Sequence, residues 1–224
     1  MSVLNDYGDK RNPTISNHGV DIAAQRADDL DLMALEHLRS VKGQARALDV
    51  ASASGGQAIR MALAGADVLA LDIDDYSEAF RGAASAVGVE ARCGFVQQDI
   101  TDYDIAGNLG HFDAIVCQRM IHYLPYGVAI EVVRTLRRAL KSGGRLFISA
   151  SGLHSELGTD YMGDRLPIDR RYELLSNAMV EKHAMMGLIC LYSQDELAAL
   201  LEATGLHVER VFTSAFGNVK AVAR

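Results

Sequence analysis

The sequence predicts an α/β fold in which helices cover both faces of a mostly parallel sheet. Three observations predict it. From residue 45 onward, short β-rich apolar runs alternate with helical stretches, the sequence form of parallel strands joined by crossover helices. Those runs are continuously apolar, so both faces of each strand need cover. The 224 residues suit one such domain, because a single core can still grow at this size.

Residues 1–20 mix Asn, Asp, Gly, Pro and Ser without periodicity and read as an irregular arm. Over 21–40, Ile22, Leu30, Met33, Ala34, Leu38 and Val41 recur near three- and four-residue spacings and share one face of a helix that Lys42-Gly43 ends. Strands are expected at 45–50, 67–72, 90–97, 112–117 and 145–150, and helices at 56–64, 76–87 and 127–140. Asp74 and Asp75 are candidate caps for the 76–87 helix. Lys141-Ser142-Gly143-Gly144 reads as a turn before the fifth strand. The rhythm lapses over 152–191, which has no clean strand and reads as an insertion. A helix at 194–204 follows, with Ser193 as N-cap and Gly205 as its stop. Two last strands, 206–213 and 219–223, flank the hairpin turn Ser214-Ala215-Phe216-Gly217-Asn218. The expected unit is one domain over 1–224, with 1–42 as arm and first helix.

No apolar run approaches the roughly 18–20 residues of a membrane span, and the opening residues lack the apolar core of a signal peptide. Both point to the cytoplasm. The formal charge of −7 gives no basic footprint for nucleic acid. Arg134, Arg137, Arg138 and Lys141 read instead as a solvated helix face with cations near its C-terminus. Cys93, Cys117 and Cys190 are far apart, without Cys-x-x-Cys spacing, and read as reduced core thiols. His154 and His183 have no metal-ligand spacing around them, so no metal site is expected.

Ala47-Leu48-Asp49-Val50-Ala51-Ser52-Ala53-Ser54-Gly55-Gly56-Gln57 carries an apolar strand into a loop of small residues and then a helix. Small side chains let the backbone approach a ligand closely, and a helix N-terminus offers free N–H groups. Ala51-x-Ala53-x-x-Gly56 also approximates the dinucleotide fingerprint, so the loop alone leaves the ligand open. Asp72 ends the second strand about twenty residues on, where a carboxylate reaches ribose hydroxyls. Phe95-Val96-Gln97-Gln98-Asp99-Ile100 ends a third β-run in another acid. Three successive strands thus place an acid or a small loop at one sheet edge, the edge where open α/β sheets bind ligands.

From Asp49-x-Ala51-x-Ala53-x-Gly55 through Asp72 and Asp99 to Phe112-Asp113-Ala114-Ile115-Val116 and Lys141-Ser142-Gly143-Gly144, the chain resembles the class I S-adenosylmethionine (SAM)-dependent methyltransferase family. The resemblance spans roughly residues 45–224. It implies a Rossmann-like, seven-stranded, mostly parallel sheet with an antiparallel last strand, and SAM as cofactor. It further implies that Asp49, Ala51, Ser52, Ala53 and Gly55 cradle the methionine portion, that Asp72 and its neighbour Ile73 lie at the ribose, and that Asp99 and Ile100 meet the adenine. Gln118 would face the transfer site. Two family glycines are Ala51 and Ala53 here, and each methyl narrows the space beside the cofactor. Asp49, Asp99 and the double glycine weigh against a nicotinamide enzyme. The family's Asn/Asp-Pro-Pro-aromatic run for nucleic-acid amino groups is replaced by Cys117-Gln118-Arg119-Met120-Ile121-His122-Tyr123, which favours another acceptor class.

Methyl transfer from a sulfonium is an in-line displacement, so the protein mainly has to align the reacting atoms and exclude water. His122 and Tyr123 are the candidates for taking a proton from a hydroxyl or an amine. A histidine on the first turn after a strand is more often a packing or hydrogen-bonding residue, and Tyr123, followed by Leu124-Pro125, reads first as a lid or wall residue. The insertion offers Tyr161, Met162, Arg165, Tyr172, Met179, His183, Met185 and Met186, suited to an acceptor lid; a homodimer surface is the alternative. Tyr7, Arg11 and Arg26 belong to an arm that would close over the cofactor. The expected function is methyl transfer from SAM to a small-molecule acceptor, against a SAM-binding regulator or scaffold without transfer.

Overall fold

A computed structural model describes residues 12–224. The first helix, α1 (Asp29–Ser40), is shorter than its apolar periodicity suggests. Asp28 takes the N-cap: its side chain accepts from Leu30 N and Asp31 N, and the Asp31 carboxylate accepts from Asp28 N. This capping box stops the helix there, so residues 21–28 form turns and Ile22 faces a cleft instead of a helix stripe. Leu30, Ala34 and Leu38 are buried as expected.

The alternating units follow as β1 (Arg46–Val50), α2 (Gly56–Leu63), β2 (Asp67–Asp72), α3 (Ser77–Ala86), β3 (Cys93–Gln97), a short α4 (Ile105–Leu109), β4 (Phe112–Gln118), α5 (Tyr126–Arg138) and β5 (Leu140–Ala150). Within the insertion lie β6 (Glu173–Leu174), α6 (Asn177–His183) and β7 (Leu188–Ile189). The chain closes with α7 (Gln194–Ala203), β8 (Val208–Thr213) and β9 (Val219–Ala223). The main sheet has seven strands in the order β3-β2-β1-β4-β5-β9-β8. β1 to β5 run parallel, and β9 is antiparallel to both β5 and β8. This is the Rossmann-like architecture expected from the sequence.

Strand alternation divides the core. Leu48, Val50, Ile115, Cys117, Leu146 and Ile148 pack toward α5 and α7 with Val133, Leu136, Leu197 and Leu201. Ala47, Val68, Ala70, Ala114, Val116 and Phe147 pack on the other face with Leu30, Leu38, Met61 and Phe80. Asp49, two residues on, shares the face of Ala47 and so points toward α2, which matters below.

Four local expectations are corrected. Lys141-Ser142-Gly143-Gly144 is the first part of β5 and not a turn. Pairing with β4 slips between Phe112 and Ala114; Gly143 adopts φ +80°, and a Cβ on Gly144 would sit 2.8 Å from the Phe112 carbonyl oxygen. Glycine marks a bulge as readily as a turn. Asp75 accepts from Ser77 N beside α3, but Asp74 is drawn away by Ser16 Oγ at 2.6 Å. Cys93 is half-buried; Cys117 and Cys190 are buried, and all three are free thiols. The insertion contains the two-residue pair β6–β7 and its own apolar cluster around Leu153, Leu157, Tyr161, Ile189 and Leu191.

Among the described residues no helix is long and apolar enough to cross a membrane. No group of three or more His, Cys, Asp or Glu side chains among them is arranged to hold a metal.

Candidate functional site

The order β3-β2-β1-β4-β5 reverses direction at β1 and β4, and a cleft of about 580 Å³ opens at their C-terminal ends. That is the topological switch point where open α/β sheets take ligands. Its floor is the loop from β1 to α2. Ala51 and Ala53 adopt φ +54° and +46°, and Gly55 adopts +82°. A Cβ on Gly55 would lie 2.1 Å from the Phe80 ring, so that position requires glycine. The two alanines accept left-handed backbone at a cost of about 1–2 kcal/mol each.

Carboxylates tie the loop down. Asp49 is buried, and its Oδ2 accepts from Ala58 N at 2.9 Å in the first turn of α2. Burial pushes its carboxyl up to about 8, helped by the negative charge of Asp31. Asp72 Oδ2 accepts from Ala53 N at 2.8 Å and Oδ1 from Asp74 N at 3.0 Å. Its pKa is also raised, by burial first. Asp21, from the arm, accepts from Ser54 N at 3.2 Å and Ser54 Oγ at 2.6 Å.

The arm crosses over this loop. Ile15 N donates to the Tyr76 hydroxyl at 2.8 Å, and Arg60 donates to the Ala23 carbonyl at 2.9 Å. Gly56 lies so close beneath that a Cβ there would sit 2.1 Å from Ala23 O. Further along, Gly19 N donates to Ala184 O at 2.9 Å and Met186 N to Asn17 O at 3.2 Å, so arm and insertion join into one roof.

The far wall comes from the end of β4. Gln118 Nε2 donates to Asp31 Oδ1 at 2.5 Å, and its Oε1 accepts from Ser149 Oγ at 3.2 Å. Lys220 of β9, almost fully buried, reaches Asp28 at 2.6 Å and also contacts Asp29. Arg119 follows in a left-handed conformation, φ +52°, with its N–H directed to Ser149 O and Oγ. His122 is buried; its Nδ1 lies 3.4 Å from Ser151 N, and its Nε2 meets no hydrogen-bond partner among the described residues. Burial, with the Arg119 charge second, lowers the imidazole to about 3, so it is neutral at physiological pH. The Tyr123 hydroxyl is pushed above its usual value by burial.

Asp49, Ala51, Ser52, Ala53, Asp72, Ile73, Asp99, Ile100, Gln118, His122 and Tyr123 all line this one cleft. Gly55 stands just behind, shaping the loop. Asp99 caps the turn after β3, accepting from Thr101 N and Oγ1. Of the insertion residues singled out, His183 and Met185 reach the cleft. Tyr161 is buried within the insertion, its hydroxyl 2.6 Å from both Arg171 O and Ile189 O, and Met162 and Met186 are exposed. Tyr172 donates to Tyr123 O at 2.9 Å, Met179 packs in the insertion core, and Arg165 is exposed. Arg26 lines the cleft and stacks over Phe216; Tyr7 and Arg11 lie outside the described residues. Sequence reasoning missed His18, Asp21, Asp28, Asp31 and Arg119. Asp28-x-x-Asp31 carried a capping signal; the others reach the cleft through turns without local signature.

The family described as "Methyltransferase domain" matches residues 47–144. A ubiquinone biosynthesis O-methyltransferase of Xanthomonas oryzae pv. oryzae (strain PXO99A) is 34% identical over 132 residues, which are 55% of this chain and 52% of that protein. One of Xylella fastidiosa (strain M23) is 32% identical over 176 residues, 75% of this chain and 63% of its own. The chain spans about half the length of the curated relatives it matches. Among solved structures, the Burkholderia thailandensis 1,6-didemethyltoxoflavin-N1-methyltransferase, with S-adenosylhomocysteine bound, aligns with TM-score 0.65 at 19% identity, covering 91% of this chain and 78% of that one. The magnesium protoporphyrin IX methyltransferase of Synechocystis PCC 6803 aligns with TM-score 0.63 at 16% identity, covering 87% and 80%. At these identities the two structures share the fold.

Proposed function

We propose, from the premise that this chain carries a class I SAM-dependent methyltransferase domain, that its cleft transfers the methyl group of SAM to an oxygen of a small-molecule acceptor. The observation that carries the proposal is how the loop's polar groups are spent. Asp21, Asp49 and Asp72 already occupy the backbone amides of Ser54, Ala58 and Ala53. A pyrophosphate needs such amides free, whereas a cationic sulfonium favours carboxylates nearby.

The residues present fit SAM. Ala51 and Ala53 keep the left-handed path that glycine usually takes, so the loop holds its course despite two methyl groups. Asp72 would hold the ribose with the lone pairs its two backbone contacts leave over. Asp99 and Ile100 would flank the adenine, with Asp49, Ser52 and Gln118 around the methionine portion. The bound cofactor supplies an electrophilic methyl group on a good leaving group. What remains for the chain is to align the acceptor and keep water out, and the roof of arm and insertion serves both. The insertion, 152–191, acts as the acceptor lid through His183 and Met185. His122 offers a hydrogen bond in place of a base: its Nδ1 faces a backbone N–H, which leaves the ring proton on Nε2 as a donor. The O-methyltransferase relatives support oxygen as the acceptor atom.

The test is calorimetric titration with SAM and S-adenosylhomocysteine, with NAD as control, followed by product analysis on a panel of phenols and catechols. Adenosyl ligands are expected to bind, NAD to fail, and Asp72→Ala to weaken binding at least tenfold. Binding without methylated product across small molecules, but with a protein or RNA acceptor, would overturn the acceptor class. Binding without any product would leave a SAM-binding protein.

A further inference from the structure

The cleft is rich in acids: Asp21, Asp28, Asp31, Asp72 and Glu156 all line it. Its cations are mostly engaged. Lys182 pairs with Glu156, and Arg26 stacks on Phe216. Arg119 differs, because its guanidinium has no hydrogen-bond or ion-pair partner among the described residues. The acids whose charge it feels, Asp28 and Asp31, are already served by Lys220 and by Gln118.

The backbone is arranged to present this side chain. Strand alternation would send residue 119 to the face opposite 118 and 120. The left-handed φ at Arg119, held by two contacts from its N–H to Ser149, ends β4 and lets Gln118, Arg119 and Met120 all line the cleft. Such backbone in a non-glycine residue persists where its surroundings enforce it, and clusters at ligand clamps. An unpaired guanidinium presents five donors in a planar fork suited to oxyanions.

A second observation bears on the same chamber. Neither His122 nor Tyr123 is a ready proton acceptor: the imidazole is buried and neutral, and the phenol keeps its proton. A hydroxyl acceptor that enters protonated finds no evident base in these two residues.

We infer that Arg119 selects an acceptor whose reacting oxygen is already ionised, an acidic phenolate or a carboxylate, and holds it as an anion for methylation. This deepens the methyl-transfer reading and rests on it. The charge balance suits the step. A lone pair of the oxyanion forms the new O–C bond as the S–C bond breaks, and that bond's electron pair stays on sulfur. A cation and an anion become two neutral groups, and no proton has to move.

The probe is 4-nitrocatechol, an acidic phenol whose ionised form is read by its own absorbance. It is titrated into the protein saturated with S-adenosylhomocysteine, at pH values below and above its ionisation. The wild type is expected to bind the ionised form about tenfold or more tightly than the neutral form. Arg119→Gln should erase that preference, Arg119→Lys restore part of it, and both should keep cofactor affinity within about twofold. Equal binding of the two forms by the wild type overturns the inference, as does a preference that survives Arg119→Gln. A fall in S-adenosylhomocysteine affinity with the anion preference intact would assign Arg119 to the cofactor carboxylate instead. Failure of the wild type to bind S-adenosylhomocysteine at all would defeat the methyltransferase reading itself.

Discussion

Asp49 makes the stability of this protein depend on pH in a direction opposite to that of a paired surface acid. It sits at the end of β1, on the same face as Ala47 and facing α2, with 4% of its surface exposed. Burial and the neighbouring charge of Asp31 raise its carboxyl to about 8. An unfolded aspartate titrates near about 3.9. The folded state therefore binds more protons between these values, and stability falls as pH rises. The contribution is complete below the unfolded value and is lost as pH climbs through about 8. At about 1.4 kcal/mol per pH unit, and with the slope easing near the folded pKa, the loss from pH 6 to pH 8 is about 2 kcal/mol.

Asp49→Asn removes the charge and keeps an oxygen for Ala58 N. Measuring thermal unfolding of both proteins at pH 6, 7 and 8 largely cancels the other titrating groups, including Asp31 and Asp72, raised by burial, and Asp28 and Glu196, lowered by their partners. The variant is expected to gain on the wild type by about 2 kcal/mol over that range, or roughly 4–8 °C in Tm for a chain of this size. A difference that stays flat from pH 6 to pH 8 would show that Asp49 is ionised in the folded protein, and the argument from burial would fail.

Three further outcomes are expected. Gly56→Ala would drive a methyl group into the Ala23 carbonyl; limited proteolysis should then cut faster within residues 12–28, and S-adenosylhomocysteine should bind at least tenfold more weakly. Lys220→Met leaves the partly exposed Asp28 and Asp29 carboxylates without their cation, at a cost of about 1 kcal/mol read by denaturant unfolding. His122→Gln should lower kcat/KM about tenfold, the worth of one hydrogen bond to the acceptor, without changing the shape of the pH–rate profile. A break near pH 6.5 that vanishes in His122→Gln would instead make His122 a base.

The frame was legible because its cause is local. The apolar runs Val68–Leu71 and Ala114–Cys117 within 67–72 and 112–117 read as strands covered on both faces, and β2 and β4 fall there to within a residue. Asp49, Asp72 and Asp99 were legible as a group because strand ends in a parallel sheet share one edge. Where the same residue type serves two geometries, legibility ended. Gly143-Gly144 signals a turn or a bulge, and only the slip in β4–β5 pairing decides between them. Ile22 fits a helix stripe, but Asp28 caps later and frees it for the cleft. α4 is too short for periodicity to register. The contact between Asn17 and Met186 joins residues far apart in sequence, and the backbone twist that presents Arg119 depends on Ser149 in another strand.

The loop sequence left one ambiguity that side-chain geometry addresses. Ala51-x-Ala53-x-x-Gly56 serves a dinucleotide as plausibly as an adenosyl sulfonium, because both need small residues at a strand-to-helix turn. The two ligands differ in charge, and so in what they ask of the amides. Here Ser52 N donates to Leu71 O and Gly55 N to Ser52 O, while Ala53, Ser54 and Ala58 donate to Asp72, Asp21 and Asp49. A pyrophosphate would have to displace all three acids from those amides and then sit among the carboxylates that stay ionised, Asp49 keeping its proton below about pH 8. At a separation of about 4 Å, each like-charge contact costs on the order of 1–4 kcal/mol even with the screening of a solvated cleft. A sulfonium meets the same carboxylates with the sign reversed. The acids that hold the loop in shape therefore also bias it toward a cationic ligand.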